Sequence, residues 1–191
     1  DWFLSHADVR VDALCDVDDT RAAEKLKKVH AKYQKTSATA CRDFRKVLER
    51  KDITAISTGT PDHWHALVTC HAFLAGKDVY SEKPLAHNYR EARAMLDLGT
   101  KHGRVFQLGT QIHAEDNYHR VVELVRSGCL GKIHTVHVWK TGGTPSLVTE
   151  PPQEPPKHLD WDTWLGAAPK VGYHPARCHF NFRYFQDYSF G

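Results

Sequence analysis

The sequence predicts an α/β protein, a doubly wound parallel sheet followed by the opening part of an α/β or α+β second domain. Three observations predict it. Through residue 108, short apolar and β-branched runs alternate with segments of helical period. The runs end in loop signals such as Thr58-Gly59-Thr60-Pro61. After Gly109 the alternation stops, and prolines and aromatic residues take over. Residues 1–108 therefore read as one domain and 109–191 as the start of another, cut off at residue 191.

Each element follows from its local pattern. Residues 9–15 form a short strand that ends at the acidic Asp16-Val17-Asp18-Asp19. Residues 20–33 then read as a helix with Ala22, Leu26 and Val29 on one face, and 42–50 as a second helix. Residues 53–57 (I-T-A-I-S) are near-continuously apolar or β-branched, as a buried parallel strand requires. A helix over 63–74 is stopped by Gly76, and 78–81 form a strand closed by Glu82-Lys83-Pro84. Asn88 is the N-cap and Gly103 the C-terminal stop of a helix over 88–102, before a strand over 105–108. In the second domain, 117–127 form a helix with Val121, Leu124 and Val125 inward, and 133–140 a longer strand. Five of the nine prolines lie between Pro145 and Pro156 and interrupt any regular element there.

Composition bounds the class. Of 191 residues, 41% are hydrophobic and 10% aromatic, and 26 Lys and Arg face 23 Asp and Glu, so a packed core is expected and disorder is not. No run approaches ~18 apolar residues, which excludes an apolar membrane-spanning helix. A net charge of +3 is too small to suggest nucleic acid. Eleven Lys and Arg do cluster within 21–51, at helical spacings that read as solvated helix faces. The five cysteines have no C-x-x-C spacing and favour a reducing, cytoplasmic setting. The chain opens without Met, so an upstream export signal stays open.

Ligands of parallel α/β sheets bind at the carboxyl ends of the strands. That rule selects Asp16, residues 58–65, Glu82-Lys83-Pro84 and residues 109–111, which should converge on one crevice. Asp16 ends a strand where a carboxylate can accept both ribose hydroxyls of NAD and repel the 2′-phosphate of NADP. The same carboxylate could instead cap the following helix. The glycine fingerprint that accompanies such a carboxylate belongs about 20 residues earlier, upstream of residue 1. Lys83 beside a positive nicotinamide would have its pKa lowered and could exchange the proton of an alcohol, with Glu82 orienting it and Pro84 stiffening the turn.

These motifs together resemble the Gfo/Idh/MocA oxidoreductases, relatives of glucose–fructose oxidoreductase and inositol dehydrogenase. The resemblance runs from Asp16-Val17-Asp18 with Arg21, through residues 57–65 and 81–85, to residues 107–111, 124–128 and 131–133. It continues in residues 161–166 and 182–185. It implies a Rossmann domain that binds NAD, with NADP less favoured, and a C-terminal domain whose sheet often mediates homo-oligomerisation. Asp16 would bind the adenosine ribose and Arg21 would lie near the adenine. Thr58, Thr60, Pro61, His63, Trp64 and His65 would line the dinucleotide. Glu82 and Gln111 would sit near the nicotinamide half, and Lys83 would be the catalytic lysine.

His63 and His65 lack a third ligand at a diagnostic spacing, so no metal is expected. Arg183 and His179 are candidate substrate contacts, alongside a core role for the aromatic residues around them. The expected function is hydride transfer between a nicotinamide and a sugar, cyclitol or related polyol, with neither nucleic acid nor membrane as partner. Two rivals stand beside it: a glycosidase that oxidises its sugar transiently on retained NAD, and a nucleotide-sensing interaction protein without catalysis.

Overall fold

The computed structural model describes residues 2–33, 37–139 and 150–190. Strands β1 (Ala13–Cys15) and β2 (Thr39–Cys41) pair in parallel, Cys15 opposite Cys41, with helix α1 (Asp19–Lys32) between them in sequence. The short helix α2 (Phe44–Leu48) leads to a second parallel sheet of β3 (Ala55–Thr58), β4 (Asp78–Glu82) and β5 (Phe106–Gly109). Thr58 stands opposite Ser81, and Glu82 opposite Gly109. Helices α3 (Asp62–Leu74) and α4 (Tyr89–His102) are the crossovers that parallel pairing demands.

A cavity of about 1160 Å³ separates the two sheets, with β1 along one wall and β3 along the other. In the doubly wound order 3-2-1-4-5-6, β2–β1 and β3–β4–β5 take positions 3-2 and 4-5-6. Phe3, Leu4 and residues 8–12 line the cavity, and the Phe3 ring meets Tyr80 edge-on at 5.3 Å.

The helix boundaries have local causes. Asp18 caps α1, its carboxylate accepting from the backbone N–H groups of Thr20 and Arg21. Asn88 caps α4 by accepting from Glu91 N–H, and Gly103 closes that helix at φ 59°, the left-handed conformation that glycine adopts without strain. The basic 21–51 stretch is laced with acids: Arg42 pairs with Asp19, Arg45 with Asp43, Lys46 with Glu49 and Arg50 with Asp52.

Two apolar clusters form. Ala72, Phe73 and Val79, with Leu48, Ile56, Leu98 and Phe106, pack α3 and α4 on the three-stranded sheet. Leu159, Trp161, Trp164, Leu165, Phe182 and Tyr188 make an aromatic cluster that also takes in Val17, at the end of β1. Helix α6 (Trp161–Leu165) lies in this cluster. Backbone bonds tie it down, Asp19 N–H donating to His158 O and Asp160 N–H to Val17 O, both at 2.9 Å.

Four expectations change. The strand expected over 9–15 is regular only at Ala13–Cys15. The strand β2 was not expected, because three residues of Thr-Ala-Cys show no period and become a strand only by pairing with β1. Residues 133–139 are irregular and exposed rather than a strand, since no described strand lies alongside to complete a ladder, and Lys140 lies outside the described residues. Helix α5 (Asp116–Arg126) forms, but Val121, Leu124 and Val125 are exposed, with no described layer over them. The proline-rich expectation falls partly outside the described residues, at Pro145; Pro151, Pro152, Pro155 and Pro156 lie in irregular chain.

Candidate cofactor and active site

The carboxyl ends of β1, β3, β4 and β5 carry the expected groups. At the end of β1, Asp16 lines the cavity and its Oδ1 accepts the Asp18 N–H at 2.9 Å. Burial pushes the Asp16 carboxyl above its usual range, against the lowering effect of that hydrogen bond and of the Arg21 charge. A carboxylate kept partly dry at a cavity wall is an acceptor in search of donors, which is what a ribose diol supplies. Arg21 lines the same wall. The alternative of Asp16 as helix cap is settled otherwise, because Asp18 holds that role.

At the end of β3, Thr58, Gly59, Thr60, Pro61 and Trp64 line the cavity, with Thr58 Oγ1 3.3 Å from Thr60 Oγ1. His63 and His65 do not. Consecutive residues of a helix point about 100° apart, so Trp64 can face the cavity only while its neighbours turn elsewhere. His63 Nε2 donates to Trp164 O at 3.1 Å among the rings of Trp164 and Tyr188, and burial lowers its pKa. Its Nδ1 is buried without a described partner. His65, 1% exposed, has Nδ1 2.6 Å from Pro84 O and Nε2 2.9 Å from Thr60 O. A neutral ring donates to one of these carbonyls and a doubly protonated ring to both. Either way, His65 joins the loops after β3 and β4.

At the end of β4, the Glu82 Oε1 accepts from Gln111 Nε2 at 2.7 Å, and the Glu82 side chain lies against Gly59. Lys83 is exposed, and its turn is held from below by the His65 bond to Pro84. Lys83, Glu82 and Gln111 thus share the carboxyl end of the sheet but stand outside the cavity wall itself.

The candidate substrate residues stand elsewhere. His179 and Arg183 line the cavity with Asp16 and Arg21. His179 Nε2 is 2.9 Å from Asp18 Oδ2, and the Arg183 guanidinium lies over the rings of Phe180 and Phe182 at 4.6 and 4.5 Å. Thr163 and Trp164, which the sequence shows only as part of the resemblance over 161–166, also line the cavity. The Trp164 carbonyl also accepts the Trp64 indole N–H at 2.9 Å, a backbone contact that no side-chain motif announces. Among the described residues, no group of three or more His, Cys, Asp or Glu is placed to hold a metal.

Comparison with known proteins decides the family. The profile described as oxidoreductase family, NAD-binding Rossmann fold (Gfo/Idh/MocA), matches residues 1–110, and its companion, the C-terminal alpha/beta domain, matches residues 116–191. The chain belongs to the Gfo/Idh/MocA oxidoreductase family. Among family relatives, an inositol 2-dehydrogenase/D-chiro-inositol 3-dehydrogenase of Lactiplantibacillus plantarum is 26% identical over 127 residues, 66% of this chain and 35% of that protein. A levoglucosan dehydrogenase of Pseudarthrobacter phenanthrenivorans is 40% identical over 55 residues, 29% of this chain and 14% of that protein. The crystal structure of myo-inositol 2-dehydrogenase from Lactobacillus plantarum superposes with a TM-score of 0.56 at 26% identity, covering 66% of this chain and 36% of that one. A 3-ketoreductase from Actinomadura kijaniata, in complex with NADP, shares the fold at a TM-score of 0.58 and 20% identity, covering 66% of this chain and 37% of that one. The chain spans 35% of the inositol dehydrogenase it matches, so family membership and the NAD-binding fold are its secure properties.

Proposed function

We propose that this chain carries the NAD(H) site and the proton-transfer lysine of a dehydrogenase acting on a secondary alcohol of a sugar, cyclitol or related polyol. The observation that carries the reading is the joining of the strand-end loops: His65 ties Thr60 to Pro84, and Gln111 donates to Glu82, whose side chain faces Gly59. The loops after β3, β4 and β5 are therefore joined at one end of the sheet, and the turn that bears Lys83 is part of that edge. The groups at the strand ends fit a dinucleotide: a part-buried carboxylate, Asp16, for a ribose diol, paired threonine hydroxyls at Thr58 and Thr60, and the flat indole of Trp64.

Bound NAD would supply the hydride acceptor. The chain's own residues do the rest. Asp16 and the loop of residues 58–61 hold and orient the nucleotide. The Lys83 amine accepts the hydroxyl proton as the alcohol is oxidised and returns it when the ketone is reduced. Glu82, anchored by Gln111, keeps a negative charge next to that lysine. A relative named for inositol oxidation and another named for levoglucosan support a polyhydroxylated substrate.

Denaturing the purified intact protein and counting the nucleotide released, followed by NADH titration, tests the reading. Release of NAD(H), or saturable NADH binding, supports it. A protein that neither releases nor binds nicotinamide nucleotide overturns it.

A further inference from the structure

The segment around residues 158–183 closes one end of the cavity through a buried anchor. Asp18 is 2% exposed. Its Oδ1 accepts from Thr20 N–H and Arg21 N–H, as the α1 cap. Its Oδ2 faces His179 Nε2 at 2.9 Å and His158 Nε2 at 3.7 Å. The antiparallel contact between Asp18 and Leu159 brings this segment to the end of β1.

The anchor has a chemical consequence. A carboxylate facing Nε2 fixes the proton there, so Nδ1 of His179 is left with a lone pair, an acceptor. Burial and the Arg21 charge hold the His179 pKa below its ordinary value, against the raising effect of Asp18, which favours the neutral ring. His179 lines the same wall as Asp16 and Arg21, whereas Lys83 does not. The imidazole therefore belongs to the end of β1, with Asp16 and Arg21, and not to the turn that carries Lys83.

We propose that His179, held by Asp18, is a cofactor-specificity residue whose Nδ1 accepts a hydroxyl hydrogen of the adenosine ribose beside the Asp16 carboxylate. This deepens the proposed function and rests on the carboxyl end of β1, where Asp16 stands, being the adenosine side of the dinucleotide site. A ribose diol brings two donors to two acceptors. A 2′-phosphate brings only acceptors and negative charge, to a neutral nitrogen and two carboxylates. Selection of NAD(H) over NADP(H) is then shared between the strand-end Asp16 and a residue far along the chain. It moves His179 from the expected substrate contact to the adenosine half.

The test is calorimetric titration of the intact protein, wild type, His179→Leu and His179→Arg, with NADH, NADPH, AMP and nicotinamide mononucleotide. The expected result is that His179→Leu weakens NADH and AMP alike, by about tenfold for one lost hydrogen bond, and leaves nicotinamide mononucleotide unchanged. His179→Arg narrows the NADH to NADPH preference by about tenfold or more, since it offers donors and charge to a phosphate. If the leucine variant fails to fold, the preference ratio of the arginine variant decides. Wild-type binding with AMP affinity and preference unaltered in the variants overturns the proposal alone. A loss in nicotinamide mononucleotide and not in AMP overturns it too. A wild type that binds neither NADH nor AMP overturns the dinucleotide reading, and this one with it.

Discussion

His65 Nδ1 lies 2.6 Å from the carbonyl oxygen of Pro84, one residue past Lys83, while the other nitrogen of the same ring reaches Thr60 O. A buried side chain thus spans the loops after β3 and β4, which the proposed nicotinamide site would need at a fixed separation. Replacing His65 by Leu removes the ring N–H and leaves a buried carbonyl without its donor, at a cost of about 1–3 kcal/mol. Turnover should fall further than NADH affinity, because the Lys83 turn loses its anchor while Asp16 does not. Urea unfolding and separate kcat and Kd measurements check both parts; equal losses in kcat and affinity would count against a positioning role.

Lys83→Ala should leave NADH binding within about twofold and lower turnover by about 10²–10⁴, the usual worth of a positioned acid–base group. Lys83 is exposed and takes no part in either apolar cluster, so stability should hardly change. Steady-state assays of the intact protein on myo-inositol and related polyols, beside NADH titration, provide the check. Unchanged turnover removes the lysine from the mechanism.

Asp16→Asn should stabilise the protein near neutral pH and weaken NADH binding. Burial raises the Asp16 pKa in the folded state, so the folded chain binds this proton more tightly than the unfolded one. The ionised carboxylate therefore costs stability in full above its folded pKa, and that cost disappears as pH falls below the unfolded value of about 3.9. The advantage of the asparagine variant should accordingly shrink toward acid pH. Guanidinium unfolding of both proteins between pH 4 and 7.5 measures it; an advantage that grows toward acid reverses the sign and refutes the account.

Lys77 is 3% exposed, and its amine donates to Arg50 O at 2.6 Å and Ile53 O at 2.7 Å, fastening the chain before β3 to the turn before β4. Lys77→Met keeps the stem and loses the donors, so unfolding free energy should drop by about 2–4 kcal/mol, as for buried acceptors left unpaired. NADH affinity should follow only in so far as β3 shifts. Chemical denaturation decides it, and a drop under 0.5 kcal/mol (the size of ordinary surface changes, about ±0.5) would show those carbonyls rehydrated.

What the sequence disclosed depended on how local the cause was. Asn88 and Gly103 bound α4 through their own backbone neighbours, and both positions were readable. The strand-end rule expects Asp16, Thr58 and Pro61 in the loops at the carboxyl ends of strands, and they stand there because an α/β sheet delivers its loops to one end regardless of detail. The alternating run at 133–139 misled, since alternation makes a strand only where a partner strand supplies the ladder. His63 and His65, expected beside Trp64 along the dinucleotide, meet the Trp164 carbonyl and the Thr60 and Pro84 carbonyls, backbone partners that a side-chain motif does not announce. The Asp18–His179 contact joins distant parts of the chain through packing of the aromatic cluster, and no periodicity encodes it.

Gly166 offers the sharpest packing test. It sits at φ 55° and ψ −117°, and a Cβ there would overlap the indole of Trp64. That indole is pinned, its N–H donating to the Trp164 carbonyl two residues earlier, and it lines the cavity beside Pro61. Gly166→Ala therefore combines backbone strain with a clash against a ring that cannot retreat without breaking its hydrogen bond. The expected loss is about 2–5 kcal/mol, the sum of a strained backbone and an overpacked site. The displaced ring should also redden Trp fluorescence and weaken NADH binding, since the cavity wall moves with it. Thermal unfolding, emission spectra and NADH titration of the variant give three readings of one movement. A stable variant with wild-type emission would mean that Trp64 does not pack on the 164–166 turn, and would detach the aromatic segment from the cavity wall.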